Sequence, residues 1–166
     1  MLFIFSGLPG VGKTTLARML AKELKAAYVR IDTIEQCMKN SQITLHYDES
    51  YQVAFALTAE NLKLGLSVVA DSTNPVEESR RQWWKIAKEC KKPYFDIEVI
   101  CSDINEHRQR VEHRETDIPN LKLPTWGSVC EREYKPWEQI KRIVVDTAHK
   151  TEQQSFNELY SAITLR

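Results

Sequence analysis

Gly7-Leu8-Pro9-Gly10-Val11-Gly12-Lys13-Thr14 satisfies G-x-x-x-x-G-K-[ST], the Walker A pattern. It lies between the apolar run Leu2 to Phe5 and a stretch in which Thr14, Thr15, Leu16, Ala17, Met19, Leu20 and Leu24 recur at helical spacing. A strand that passes through glycines into a helix builds an anion cradle. The glycines let the backbone curl close to phosphate oxygens, its N–H groups converge on them, and the helix N-terminus adds positive potential. In such a cradle Gly7, Pro9, Gly10, Val11 and Gly12 wrap the phosphates of a nucleoside triphosphate, and Lys13 reaches the β- and γ-phosphates. The Thr14 hydroxyl is suited to Mg²⁺, and Thr15 to a phosphate nearer the nucleoside.

Outward from this loop the chain alternates between two periodicities. Ala27 to Ile31 reads as a second strand with Asp32 at its tip, followed by a short helix from Thr33 to Lys39. A helix over Glu49 to Leu64 stops at Gly65, and Leu66 to Ala70 is a third strand ending at Asp71. Pro75 suits the start of a helix that carries Trp83, Trp84, Ile86 and Ala87 up to Pro93. Tyr94 to Cys101 is a fourth strand, and Asp103 caps a charged helix to about His113. A polar segment broken by Pro119 and Pro124 leads to Trp126, Trp137 and another helix. Ile140 to Val145 is a fifth strand, and Glu152 to Ile163 a terminal helix. Strands alternating with helices imply a parallel α/β sheet covered on both faces, since parallel neighbours require crossover connections.

The composition narrows the function classes. The 166 residues suit one domain, 1–166, and 42% apolar content supplies a core without metals or disulfides. The 23 basic and 23 acidic residues cancel, which argues against strong binding of duplex nucleic acid through its backbone charge. The apolar start is too short to span a membrane and no cleavage site follows it, so the expectation is a soluble, cytoplasmic protein with no membrane partner. The four cysteines form no C-x-x-C pair and read as reduced, mostly packed thiols.

Three features beyond the loop point to phosphoryl transfer. Asp32 is placed to accept the proton of an attacking hydroxyl as a general base, although an Asp there also serves as a helix N-cap. Val68-Val69-Ala70-Asp71 is an apolar strand delivering one carboxylate, which makes Asp71 a second candidate for Mg²⁺; Ser72 and Asn74 beyond it read equally well as capping residues. Arg110 and Arg114, one helical turn apart, suit a lid over about residues 108–127 that neutralises charge on the transferring group, with a solvated face paired to Glu106 and Glu112 as the alternative. Trp126 and Trp137 would either stack on a planar ligand or simply pack, and no spacing singles out a histidine.

Taken together, GLPGVGKTTLA, Asp32 after the second strand, the D-x-T-N element at Asp71–Asn74 and the R-x-x-x-R pair Arg110 and Arg114 resemble a family of small P-loop kinases. Its members are related to the 5′-kinase domain of polynucleotide kinase, chloramphenicol phosphotransferase and the zeta-toxin kinases. The resemblance implies a three-layer P-loop NTPase fold with sheet order 2-3-1-4-5 and an Arg-bearing lid. It also implies ATP and Mg²⁺ as cofactors, catalytic roles for Lys13, Asp32, Arg110 and Arg114, and a place for Asp146 and Thr147 beside the adenine. The implied partner is a hydroxyl acceptor, either a small molecule or a nucleotide or oligonucleotide. A nucleoside or nucleotide kinase, or a nucleotide switch with slow hydrolysis, stands as the alternative.

Overall fold

A computed structural model describes residues 1–135, 137 and 141–165. Five strands form one parallel sheet: β1 (Leu2–Ser6), β2 (Ala27–Arg30), β3 (Val68–Asp71), β4 (Tyr94–Ile100) and β5 (Ile143–Asp146). Their order is β2-β3-β1-β4-β5, as the resemblance implied. Among the described residues seven helices connect and cover them: α1 (Lys13–Leu24), α2 (Ile31–Asn40), α3 (Glu49–Lys63), α4 (Glu77–Glu89), α5 (Ile104–Glu112), α6 (Trp126–Cys130) and α7 (Glu152–Thr164).

The alternation of β1 explains the layering. Leu2 and Ile4 pack with Phe55, Leu62 and Trp83 of α3 and α4, while Phe3 and Phe5 pack with Leu16 and Leu20 of α1 and with Phe156 and Leu159 of α7. Side chains in a strand alternate between faces, so a run with no polar residue feeds both layers. None of the described helices is long and apolar enough to cross a membrane.

Several expected boundaries shift. β2 ends at Arg30, and the chain enters α2 at Ile31 with no loop between, so Asp32 sits in the first helical turn instead of at a strand tip. The residue in the N-cap position is Arg30, and no side chain caps this helix. β5 begins at Ile143, not 140, and position 140 itself lies outside the described residues. α5 stops at Glu112 with His113 as its C-cap, which leaves Arg114 beyond the helix that was expected to carry it. The helix near Trp126 has five residues and does not reach Trp137. Trp137 is buried, with the Arg80 guanidinium 4.3 Å from its ring centroid, so it packs and does not offer a stacking face.

Asp96 on β4 is an unused buried acid. Burial pushes its carboxyl up to about 6, even though Trp84 Nε1 donates to it at 2.9 Å and Arg80 attracts the anion. An acid with a raised folded-state pKa holds more protons folded than unfolded, so stability falls as pH rises from about 4 to about 6 and stays reduced above. Asn in its place still accepts from Trp84 and carries no charge. Asp96→Asn is expected to gain about 1–2 kcal/mol near neutral pH and to flatten the pH dependence in that window. Urea denaturation across the pH range checks this; a variant less stable than wild type at neutral pH would contradict it.

Candidate active site

The carboxyl ends of β1, β2 and β3 come to one edge of the sheet, with Arg30 and Phe5 both in register with Asp71. Open parallel sheets bind ligands at such an edge. Here they border a cavity of about 730 Å³ whose lining includes Gly10, Gly12, Lys13, Thr14, Thr15, Asp32, Arg110, Arg114 and Thr147.

The phosphate loop is shaped by glycine. Gly7, Gly10 and Gly12 have φ of +144°, +86° and +89°, where a side chain is strained. A Cβ on Gly7 would overlap the Val99 carbonyl oxygen, and one on Gly10 would overlap Val111 Cγ2. The Gly7 N–H donates to the Thr73 carbonyl at 3.2 Å, which ties the loop to the segment after β3. Asn74, at 0% exposure, donates to the Phe5 carbonyl at 3.1 Å and accepts from Trp83 Nε1 at 2.9 Å. Asn74 therefore ties β1 to α4 and does not cap the next helix, which starts after Val76 with no side-chain cap.

Lys13 and Asp71 meet at the base of the loop. Lys13 Nζ donates to Asp71 Oδ1 at 2.7 Å, Tyr28 Oη donates to Oδ2 at 2.7 Å, and Arg30 Nε is 3.9 Å from Oδ2. Asp71 is 2% exposed. Burial alone would raise its carboxyl, but Lys13, Tyr28 and the Thr14 hydroxyl outweigh that and hold it below the ordinary range. A hydroxyl and an ionised carboxylate side by side are hard oxygen donors of the kind Mg²⁺ takes, leaving room for water and phosphate oxygens, so Thr14 and Asp71 fit that ion. Among the described residues no group of three or more His, Cys, Asp or Glu is set to hold a metal.

Asp32 faces the same cavity, with its side chain 44% exposed and its Oδ2 3.9 Å from Arg30 Nη2. Arg110 spans two elements. It donates to Glu106 Oε1 at 2.6 Å, to Thr147 Oγ1 at 2.7 Å and to the Thr147 carbonyl at 3.0 Å. Arg110 thus pairs with Glu106 and also lines the cavity. Arg114 reaches the cavity from the loop beyond α5.

Asp146 and Thr147, taken together from the resemblance, part company. Asp146 Oδ1 accepts from the N–H groups of Ser102 and Ala148, each at 3.0 Å, and it lies outside the cavity lining. Thr147 lines the cavity, but its hydroxyl lies 2.9 Å from the Val11 carbonyl, to which it donates. It braces the loop from behind.

Sequence reasoning passed over two further supports. His107 Nε2 donates to the Pro9 carbonyl at 2.8 Å, and its ring stands edge-on to Trp126, with centroids 5.1 Å apart. Position 107 is one turn before Val111, the residue under Gly10, but that arrangement comes from the packing of α5 on the loop and not from any spacing in the sequence. The second is Asp117, in the connection between α5 and α6. It accepts from Arg30 Nη1 at 3.0 Å and from Arg18 Nη2. Burial opposes its ionisation, yet the two guanidiniums bring it down to about 2. Nothing in the local sequence marks it.

A glycine cradle at a strand-to-helix turn and a buried lysine paired with the acid that ends β3, beside a crevice lined by Asp32, define a P-loop nucleotide-binding domain. The match is direct at the family level: a family model described as an AAA domain matches residues 2–128, and the chain belongs to that family. L-seryl-tRNA(Sec) kinase of Methanococcus maripaludis is 31% identical over 176 aligned residues, which take in 98% of this chain and 64% of the relative. The chain thus spans a little under two thirds of that relative's length. Among solved structures, Kti12 of Chaetomium thermophilum with ADP-AlF3 superposes with a TM-score of 0.69 at 21% identity, covering 98% of this chain and 99% of the other. APS kinase CysC of Mycobacterium tuberculosis gives 0.69 at 14%, covering 98% and 96%. A gluconokinase of Sinorhizobium meliloti gives 0.66 at 16%, covering 98% and 90%. At these identities the structures establish the fold, which is that of P-loop kinases.

Proposed function

We propose that the protein is an ATP- and Mg²⁺-dependent kinase that moves the γ-phosphate of ATP to a hydroxyl of a small molecule or an RNA-borne group. The observation that carries this is the shared cavity: the phosphate loop and Asp32 line one space, so a donor on the loop and an alcohol at the carboxylate would face each other. A nucleotide switch needs no second acid facing its phosphates, and this cavity has one.

Each side chain then has a defined task. Lys13 exchanges Asp71 for phosphate oxygens, since the anionic phosphates compete for the same ammonium group. Thr14 and Asp71 would hold Mg²⁺, which screens the charge of the transferring group. Asp32 takes the proton of the acceptor hydroxyl as that oxygen bonds to the γ-phosphorus and the bond from that phosphorus to ADP breaks. Arg114, and Arg110 once it turns from Glu106, neutralise the equatorial oxygens in the transition state. The 113–125 connection would serve as the lid, excluding water that would hydrolyse ATP unproductively.

The test is incubation with γ-labelled ATP, Mg²⁺ and an acceptor panel. The panel includes sugar acids, adenylyl sulfate and nucleosides, together with seryl-tRNA because the archaeal relative is named for it. Label on at least one acceptor, lost in Asp32→Asn, supports the proposal. ATP binding with no transfer to any alcohol and only slow hydrolysis would favour a switch.

A further inference from the structure

The cavity is far more basic than the chain. Among the described residues its lining holds nine Lys and Arg against five Asp and Glu, whereas the whole chain is neutral. Lys13 and Arg110 are already committed to Asp71, Glu106 and Thr147. Arg18 and Arg30 are not used by the phosphate loop at all.

Arg30 is the unusual member of that set. Its side chain is 3% exposed and lines the cavity, and its buried Nε has no hydrogen-bond acceptor, with Asp71 Oδ2 only within ion-pair range at 3.9 Å. A guanidinium carries five N–H donors in a planar fork that matches two-oxygen anions, and burying it with a donor unmet is costly. What it does hold is the carboxylate of Asp117, at 3.0 and 3.3 Å from Nη1, and Arg18 grips the same carboxylate. Asp117 belongs to a surface connection, and its side chain is 51% exposed. A solvent-exposed acid thus sits on a buried guanidinium as a removable occupant.

We infer that Arg30 and Arg18 form the acceptor's anion site, and that Asp117 fills it in the absence of substrate. The acceptor is then an acidic alcohol, a hydroxy compound carrying a carboxylate or an oxyanion of similar size, which displaces Asp117. The same guanidinium is 3.9 Å from Asp32 Oδ2, so the anion and the reacting hydroxyl are held by neighbouring groups and lie only a few bonds apart in the acceptor. This deepens the kinase proposal and rests on it for the role of Asp32, but the anion site can be tested without turnover.

The phosphate loop is first filled with Mg²⁺ and a non-hydrolysable ATP analogue, so that added acids do not compete there. Binding of D-glycerate and D-gluconate is then measured against glycerol and sorbitol by calorimetry, with glycerol 3-phosphate as the arm that separates a phosphate ester from a carboxylate. The acids are expected to bind and the neutral polyols not. Asp117→Asn removes the internal competitor and is expected to tighten the acids about tenfold or more, because the competent fraction rises. Arg18→Gln, at an exposed position, is expected to weaken them by a similar factor and guards against misfolding of Arg30→Gln. Equal binding of acids and polyols, no binding of any acid, or acid affinity unmoved in both Asp117→Asn and Arg18→Gln would overturn the inference. Acids that bind as expected, with no label on them or on any other acceptor of the panel, would defeat the kinase proposal and leave the anion site standing; label on neutral polyols alone would do the reverse.

Discussion

Asp32→Asn is expected to lower phosphoryl transfer about 10²- to 10⁴-fold, the usual contribution of a positioned general base, with ATP affinity unchanged. The asymmetry follows from position. Asp32 lines the cavity from the first turn of α2 and hydrogen-bonds to nothing in the phosphate loop, so the isosteric amide removes proton acceptance and little else. Its place in α2 is not at risk either, because it does not cap the helix, and an acid in the first turn contributes only about 0.3–1 kcal/mol through the helix dipole. A fall in kcat at unchanged nucleotide Kd, with an unfolding midpoint lowered only slightly, is the expected pattern. Wild-type transfer by the variant would remove Asp32 from catalysis.

Lys13→Ala should damage two properties at once. The first is nucleotide affinity, since in the proposed reaction the ammonium leaves Asp71 for the phosphates. The second is the stability of the nucleotide-free protein, because Lys13 and Asp71 form a buried pair with side chains 10% and 1% exposed. Removing one partner of such a pair costs about 3–5 kcal/mol, and the lower end applies where Tyr28 still donates to the stranded carboxylate.

The pH dependence distinguishes this cause from simple loss of packing. In the wild type the depressed Asp71 carboxyl contributes stability above its unfolded pKa, and that contribution is lost as pH falls through the folded value. Without Lys13, burial dominates and raises the folded pKa, so the variant loses stability as pH rises through it. The deficit is therefore largest near neutrality and shrinks in acid. Denaturation of wild type, Lys13→Ala and the double variant Lys13→Met with Asp71→Asn would show it. The double variant should recover most of the stability and none of the ATP binding. A deficit independent of pH would mean that the lost packing of the lysine stem, not the stranded charge, sets the cost.

Much of the site was legible because its determinants are local. The glycines of the loop, Lys13 and Thr14 at the start of α1, and Asp71 at the end of an apolar strand are all placed by a few flanking residues. Asp32 reads as a strand-tip residue in the sequence and lies in the first turn of α2 instead, because the choice between a final strand residue and a first helical turn rests on one or two dihedrals that apolar periodicity does not resolve. Arg114 was misassigned for the related reason that helix ends are weakly coded, and α5 stops two residues before it. Asp146 looked equivalent to Thr147 in sequence, yet neighbouring side chains at the end of a strand face opposite ways, one into the cavity and one onto a turn.

The sequence by itself determined the phosphate loop, the alternating α/β pattern and the acids that end β3 and follow β2, since each depends on contacts or dihedrals within a few residues. Tertiary structure alone decided that Asp117 rests on Arg30 and Arg18, partners 87 and 99 positions away, and that His107 supports Pro9 across 98. Ion pairs and hydrogen bonds over such separations leave no periodicity in the chain, because what brings them together is the packing of α5 and the connection after it over the edge of the sheet.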